Sequence, residues 1–276
     1  MSASRKVMLI TGASGGIGAD LARLAARKGH DLALVARNRA ALDALADELA
    51  ALPGQTNARP VVIDLDLSRP GAVAALVGAM DAAGAAPEIL VNNAGYGLLG
   101  AATDGDVAEQ LGMIDLNIRA LTELSLVFAP KLIEARGRLL NVASIAAFMP
   151  GPGMAVYYAS KAYVLSFTEA LSAELGPRGV SVTALCPGPV PTGFQTRAGF
   201  SGKMDQMVRV SLSSSEVAQI AYDGMMAGKR VVVPGLVAKV VAWTSPFTPK
   251  SLSLAVVSSL QLRRRDKSTA KDKEVA

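Results

Sequence analysis

The chain has 276 residues, of which 51% are hydrophobic, 18% charged and 4% aromatic, too apolar for a disordered chain and of a size for one large domain. One cysteine excludes a disulfide scaffold or a cysteine-rich zinc site, and one histidine excludes a histidine-based metal centre or triad, so a metal-free protein of the reducing cytoplasm is expected. The net charge of +5 sits largely in residues 263–276, where Arg263, Arg264, Arg265, Lys267, Lys271 and Lys273 outweigh Asp266, Asp272 and Glu274, so no basic face suggests nucleic-acid binding.

In chain order, short β-branched runs alternate with Ala/Leu-rich helical segments. Strands are expected at Lys6–Ile10, Asp31–Val35, Pro60–Ile63, Glu88–Val91, Arg138–Val142, Ser181–Leu185 and Arg230–Val233. Helices are expected near Gly16–Arg27, Arg39–Ala51, Pro70–Ala82, Val107–Ala135, Val156–Leu175 and Ser215–Ala227. This alternation predicts an α/β fold of the Rossmann type: one domain over residues 1–235, with a doubly wound, mainly parallel seven-stranded sheet and helices on both faces. Arg5 and Lys6 before Val7–Ile10 make no secretion signal, because the apolar stretch is too short and runs into glycines. The uncharged run Leu139–Ser160 is long enough to span a bilayer, but Pro150-Gly151-Pro152-Gly153 breaks it, so strand, loop and helix start explain it better. Pro187–Ser214 reads as a long irregular loop of the kind that carries function. Beyond it, 236–262 reads as a helical extension and 263–276 as a charged, disordered tail.

The first strand runs into Thr11-Gly12-Ala13-Ser14-Gly15-Gly16-Ile17-Gly18, where a helix begins. Gly12 suits a sharp turn, Gly16 a close approach to phosphate, and Gly18 tight packing of helix on strand. The helix N-terminus then offers free N–H groups to a pyrophosphate. Strand before and helix after make the glycines a dinucleotide fingerprint. About 20 residues on, where an acidic residue would hold an NAD ribose, stands Ala36, followed by Arg37. A guanidinium matches a 2′-phosphate, and Ser14 is placed to help, so NADP(H) is the preferred cofactor and NAD(H) the alternative. Arg39 is the rival for Arg37.

With these residues the sequence resembles the classical short-chain dehydrogenase/reductase family over about residues 5–235. Asn92-Asn93-Ala94-Gly95 is similar to the family's motif beside the adenosine half of the cofactor, and Asp66-Leu67 to its adenine-contacting pair, with Asp64 a rival by register. Asn117 matches the family's active-site asparagine, Ser144 its catalytic serine, and Tyr157 with Lys161 its Tyr-x-x-x-Lys pair. Pro187-Gly188-Pro189-Val190-Pro191-Thr192 matches the segment that holds the nicotinamide, through the Val190 backbone and the Thr192 hydroxyl. The resemblance implies an NADP-dependent oxidoreductase that interconverts alcohol and carbonyl, assembled as a homodimer or homotetramer through the helices carrying Asn117 and Tyr157.

Tyr157 and Lys161, at i and i+4, share one helix face. A free tyrosine titrates near pH ~10, and the nearby ammonium is expected to lower it toward working pH. Ser144 is placed to polarise a carbonyl. Tyr158, three residues before Lys161, and Tyr163 are decoys that spacing alone does not exclude. His30 reads as a surface or turn residue, Cys186 as a small buried hydrophobe whose place near the cofactor would make activity sensitive to alkylation, and Trp243 as core or interface packing.

The pocket walls expected are Tyr96, Leu98, 146–154, Phe194, Phe200, Met204 and Met207, which point to a small hydrophobic carbonyl or alcohol, the equal alternative being that the phenylalanines and methionines pack the loop on the body. Arg197, Lys203 and Arg209 leave open a reductase of carrier-protein-bound keto groups. A non-catalytic NADP sensor is a further alternative. In the C-terminal extension, Leu252, Val256, Val257 and Leu260 lie at helical spacing before the arginines. Packing on the body or on a partner subunit is favoured over peripheral membrane contact.

Overall fold

The computed structural model describes residues 4–52, 58–198 and 211–259. The apolar runs become β1 (Arg5–Thr11), β2 (Leu32–Ala36), β3 (Val61–Asp64), β4 (Ala85–Asn92), β5 (Arg138–Val142), β6 (Ser181–Leu185) and β7 (Val231–Val232). They form one sheet in the order β3-β2-β1-β4-β5-β6-β7, with every pairing parallel. The central strands are near-continuous apolar runs because both faces of the sheet are covered.

The covering helices are α1 (Gly16–Arg27), α2 (Arg39–Ala50), α3 (Ala72–Ala82), α4 (Val107–Ile114), α5 (Leu121–Ala135), α6 (Ala155–Leu175), α7 (Gly193–Arg197), α8 (Ser214–Met226) and α9 (Leu236–Thr244). On one face α1, α2 and α8 bury Leu21, Leu24, Leu42, Leu45, Val217 and Met225 against the strands. On the other, α3, α5 and α6 bury Leu76, Met80, Leu124, Phe128, Leu171 and Leu175. Several helices start on polar caps: the Asn38 side chain accepts from the Ala41 N–H, and Ser213 and Glu216 form a reciprocal capping box at α8. Strand order reverses between β1 and β4, so the loops leaving these two strands diverge and open a crevice at their C-terminal ends.

The structure amends the expected elements in two places and locates two further residues. The single helix expected over Val107–Ala135 is α4 and α5 joined by a π turn, Asp115–Ala120. One wider turn leaves the apolar periodicity of so long a run almost unchanged, so the pattern does not disclose it. The irregular loop expected over 187–214 contains α7, whose Phe194 N–H donates to Thr192 Oγ1 over 3.3 Å. His30 lies in the α1–β2 connection, half-buried, where its Nε2 stands 2.9 Å from the Tyr222 hydroxyl and ties the turn to α8. Trp243 is 74% exposed, so of its two expected places, core and interface, it does not occupy the core. Phe200, Lys203, Met204, Met207, Arg209, Leu260 and the tail 263–276 lie outside the described residues.

Candidate active site

The loop after β1 takes its shape from glycine geometry and from β4. Gly12 has φ +67°, a left-handed conformation that side chains disfavour. A Cβ on Gly18 would stand 2.5 Å from both Asn93 Nδ2 and the Gly12 carbonyl oxygen. That closeness exists because Asn93 clamps the loop: its Nδ2 donates to the carbonyls of Thr11 at 2.9 Å and Gly12 at 3.1 Å. Thr11 Oγ1 in turn accepts the backbone N–H groups of Asn93 and Ala94. Two neighbouring strand ends are thereby tied into one cradle. At its centre, α1 begins at Gly16 with no side-chain cap and no acidic residue in its first turn. The first amides of Gly16, Ile17 and Gly18 and the positive end of the helix dipole are left for an anion, with Ser14 and Gly15 exposed at the rim. A Cβ on Gly16 would lie 3.0 Å from Thr192 Cγ2, so the 187–192 segment, with Pro187 and Gly188, closes over the cradle from the β6 side. The Val190 carbonyl accepts from Gln195 Nε2.

At the end of β2 the two rival arginines separate. Arg39 is paired with Asp43 at 2.7 Å and with Asp64 at 3.1 Å. Arg37 is exposed and has no ion pair among the described residues. Asp64 is therefore a partner of Arg39. Asp66, followed by the buried Leu67, accepts from the Ser68 N–H and hydroxyl at 3.1 and 2.6 Å. Burial raises the Asp66 carboxyl, but the Ser68 bonds and the charges of Arg37 and Arg69 outweigh it and hold it below the ordinary value. Arg197, one of the basic residues that left a carrier-protein-bound substrate open, belongs to α7. Its guanidinium lies over the Tyr96 ring, 4.3 Å from the centroid. Burial first, and then the like charge of Arg37, lower its pKa. The two guanidinium groups thus act on each other as like charges, which an anion would relieve.

Across the crevice, Asn117, Ser144, Tyr157 and Lys161 come together from three elements. Asn117 sits in the π turn, buried, with Nδ2 donating to the Tyr96 carbonyl at 2.9 Å and to Ser160 Oγ at 3.1 Å, and Oδ1 accepting the Tyr96 N–H at 3.1 Å. Gly95 fits against this cluster: a Cβ there would stand 2.9 Å from Asn117 Oδ1 and 3.4 Å from Lys161 Nζ. Ser144 leaves β5 in extended conformation and caps the short 3₁₀ turn Ile145–Phe148 by accepting the Ala146 N–H at 3.1 Å. The buried Lys161 donates to the Val142 carbonyl at 2.8 Å, with Nζ 5.8 Å from the Tyr157 ring centroid.

Burial pushes the Tyr157 phenol up to about 12, against a smaller lowering by a hydrogen bond with Ser144. It pushes Lys161 down to about 8. The lowered Tyr157 expected from the Lys161 ammonium is therefore not what this arrangement produces: the ammonium is turned to Val142, and desolvation of the phenolate wins.

The wall above Tyr157 is apolar. A Cβ on Gly97 would meet Phe194 Cζ at 2.9 Å, Met154 Cε at 3.0 Å and Tyr157 Cδ2 at 3.0 Å, so these three side chains converge on one spot. The Phe194 and Tyr157 rings are 5.4 Å apart. The decoys resolve by packing. Tyr158 presses on Gly151, and Tyr163 turns to Thr122, hydroxyl to hydroxyl at 2.9 Å. Cys186 is fully buried and its thiol is pushed up to about 12. Among the described residues no group of His, Cys, Asp and Glu has the arrangement to hold a metal, and no helix is long and apolar enough to cross a membrane.

A parallel sheet with this switch point, a glycine cradle at its first turn and a Ser/Tyr/Lys/Asn cluster opposite define a nucleotide-dependent oxidoreductase. Residues 6–199 match the sequence model of the short chain dehydrogenase family, and the chain belongs to that family. An uncharacterized oxidoreductase of Staphylococcus saprophyticus is 34% identical over 231 residues, which cover 83% of this chain and 94% of that protein. Among solved structures, a short-chain dehydrogenase from Sphingobium yanoikuyae in complex with NADPH superimposes with a TM-score of 0.75 at 34% identity, covering 88% of this chain and 93% of that one. The bulky-bulky ketone specific alcohol dehydrogenase of Comamonas testosteroni does so at 0.70 and 31%, covering 85% and 88%.

Proposed function

We propose that this chain interconverts a carbonyl and an alcohol with NADP(H) as preferred dinucleotide and NAD(H) as the alternative, on an apolar substrate, with Tyr157 moving the proton. The observation that carries the reading is the position of Tyr157: a phenol beside Ser144, over Lys161, under a wall of Phe194, Met154 and Gly97. The uncapped start of α1 and the unpaired Arg37 fit a dinucleotide bearing a 2′-phosphate. Such a cofactor supplies or accepts the hydride. The protein's own residues place the carbonyl and handle the proton. Ser144 Oγ donates to the carbonyl oxygen and stabilises the developing alkoxide. Tyr157, protonated at neutral pH, delivers its proton to that oxygen in reduction and takes it back in oxidation. Lys161, charged below about pH 8, must turn its ammonium from the Val142 carbonyl toward Tyr157 to stabilise the phenolate left behind. Asn117 holds the Gly95–Tyr96 backbone against this cluster. The exposed Leu126, Val127 and Tyr163 of α5 and α6 are the surface for a homodimer or homotetramer.

The test is NADPH consumption over a panel of aliphatic, cyclic and aromatic carbonyls, with Tyr157→Phe in parallel. Turnover of apolar members that collapses in the variant is expected. Turnover that survives Tyr157→Phe, or that is confined to charged substrates, overturns the reading.

A further inference from the structure

Beyond the sheet, α9 and the 3₁₀ turn Ser245–Phe247 carry an apolar face that no described residue covers. Leu236 is 78% exposed, Val237 73% and Phe247 78%, with Val240 and Trp243 beside them. The Trp243 and Phe247 rings stand 6.1 Å apart, so the largest groups form one patch. The inner side of the same helix is anchored. Ala238 is buried beside Gly188, and the Ser245 hydroxyl donates to the Phe148 carbonyl. A helix held on one side by the body, with large apolar side chains bare on the other, marks a contact surface.

The charge along this segment of the sequence has a single sign. Between Asp223 and Asp266 the sequence holds no acidic residue, but it holds Lys229, Arg230, Lys239, Lys250 and Arg263 to Arg265. Lys239 and Lys250 are exposed on α9 and just beyond the turn. A second copy of the chain is the poorer occupant. A two-fold contact sets the same patch against itself, which brings lysine to lysine with no carboxylate on the segment to neutralise them.

We propose that this face docks the protein on an anionic lipid bilayer, with α9 lying in the headgroup plane. Trp243, Phe247, Leu236, Val237 and Val240 enter the acyl boundary, and the flanking lysines meet lipid phosphates. The surface stands on exposure and charge, independently of the reaction. It has one consequence that rests on the reductase reading: α9 backs the turn after Ser144, so docking brings that turn toward carbonyl compounds dissolved in lipid.

Trp243 is the sole tryptophan, so its emission reports this face alone. The full chain is mixed with vesicles of phosphatidylcholine and phosphatidylglycerol. The expected result is a blue-shifted emission, quenching by brominated acyl chains, and co-sedimentation that weakens in high salt or on phosphatidylcholine alone. Val240→Glu with Phe247→Glu, both at exposed positions, lowers vesicle partition about tenfold or more and leaves NADPH binding intact. Lys239→Gln and Lys250→Gln each lower it about fivefold. Four results overturn the proposal. Trp243 emission is indifferent to vesicles; it is already blue-shifted without lipid; it shifts with protein concentration instead, which marks self-association; or the glutamate variant sediments like the native chain.

Discussion

Replacing Asn117 by alanine tests whether the π turn is held by its side chain. The amide makes three bonds, to the Tyr96 N–H and carbonyl and to Ser160 Oγ, at 3.1, 2.9 and 3.1 Å. Each is worth about 1 kcal/mol net, and Tyr96 is too buried for water to replace them freely. The loss is therefore about 3 kcal/mol. For a chain of this size that is a fall in Tm of about 6–12 °C. Ser160→Ala removes one of the three Asn117 bonds and also the bond that Ser160 Oγ donates to the Tyr157 carbonyl at 2.7 Å, so it costs about 2 kcal/mol. Thermal unfolding followed by circular dichroism measures both. An Asn117→Ala midpoint within about 2 °C of the native one would falsify the view that these bonds brace the turn, because the Tyr96 backbone would then have found other partners.

Four further outcomes follow from the site. Arg37→Ala weakens NADPH binding about tenfold or more in a fluorescence titration and leaves NADH nearly unchanged, since a charge-assisted bond to the 2′-phosphate is lost. Equal weakening of both cofactors refutes that role. Arg39→Ala changes neither, because Arg39 is engaged by Asp43 and Asp64. Burial lowers Lys161 to about 8 from 10.5, so the folded state sheds this proton first and gains stability as pH rises through about 8. Cys186, raised to about 12 from 9.0, acts in the opposite sense above pH 9, so the Lys161 gain is read between about pH 8 and 9. The urea midpoint of the native chain climbs relative to that of Lys161→Met over this interval; parallel profiles contradict the assignment. Cys186 resists iodoacetamide in the native protein and reacts once urea unfolds it. Rapid labelling of the folded chain would show that the β6 end opens.

Much of this protein is legible in its sequence because the relevant physics is local. A left-handed backbone at Gly12 and the absence of a Cβ at Gly18 are demands of one turn, so the glycine spacing discloses the cradle without any knowledge of what packs there. Tyr157 and Lys161 share a face because they are one helical turn apart. The apolar runs of β1, β2, β5 and β6 mark strands buried on both sides wherever the chain carries them.

What the sequence leaves open depends on partners brought from far along the chain. Arg37 and Arg39 are equivalent as letters. Only the pairing of β2 with β3 sets Asp64 beside Arg39 and leaves Arg37 without an ion pair among the described residues. Asn93 reads as a cofactor neighbour, yet β4 lying next to β1 makes its amide the clamp of the glycine loop. The direction of the Tyr157 shift turns on burial against the Lys161 charge, and burial is a property of the packed site rather than of the Tyr-x-x-x-Lys spacing. Arg197 meets Tyr96 only once α7 folds back over the crevice. The apolar residues of α9 have the same composition whether they are covered or bare. Tertiary structure decides that Ala238 turns inward and Trp243 and Phe247 do not, because a helix shows the body only the side that its anchors at Gly188 and Phe148 allow.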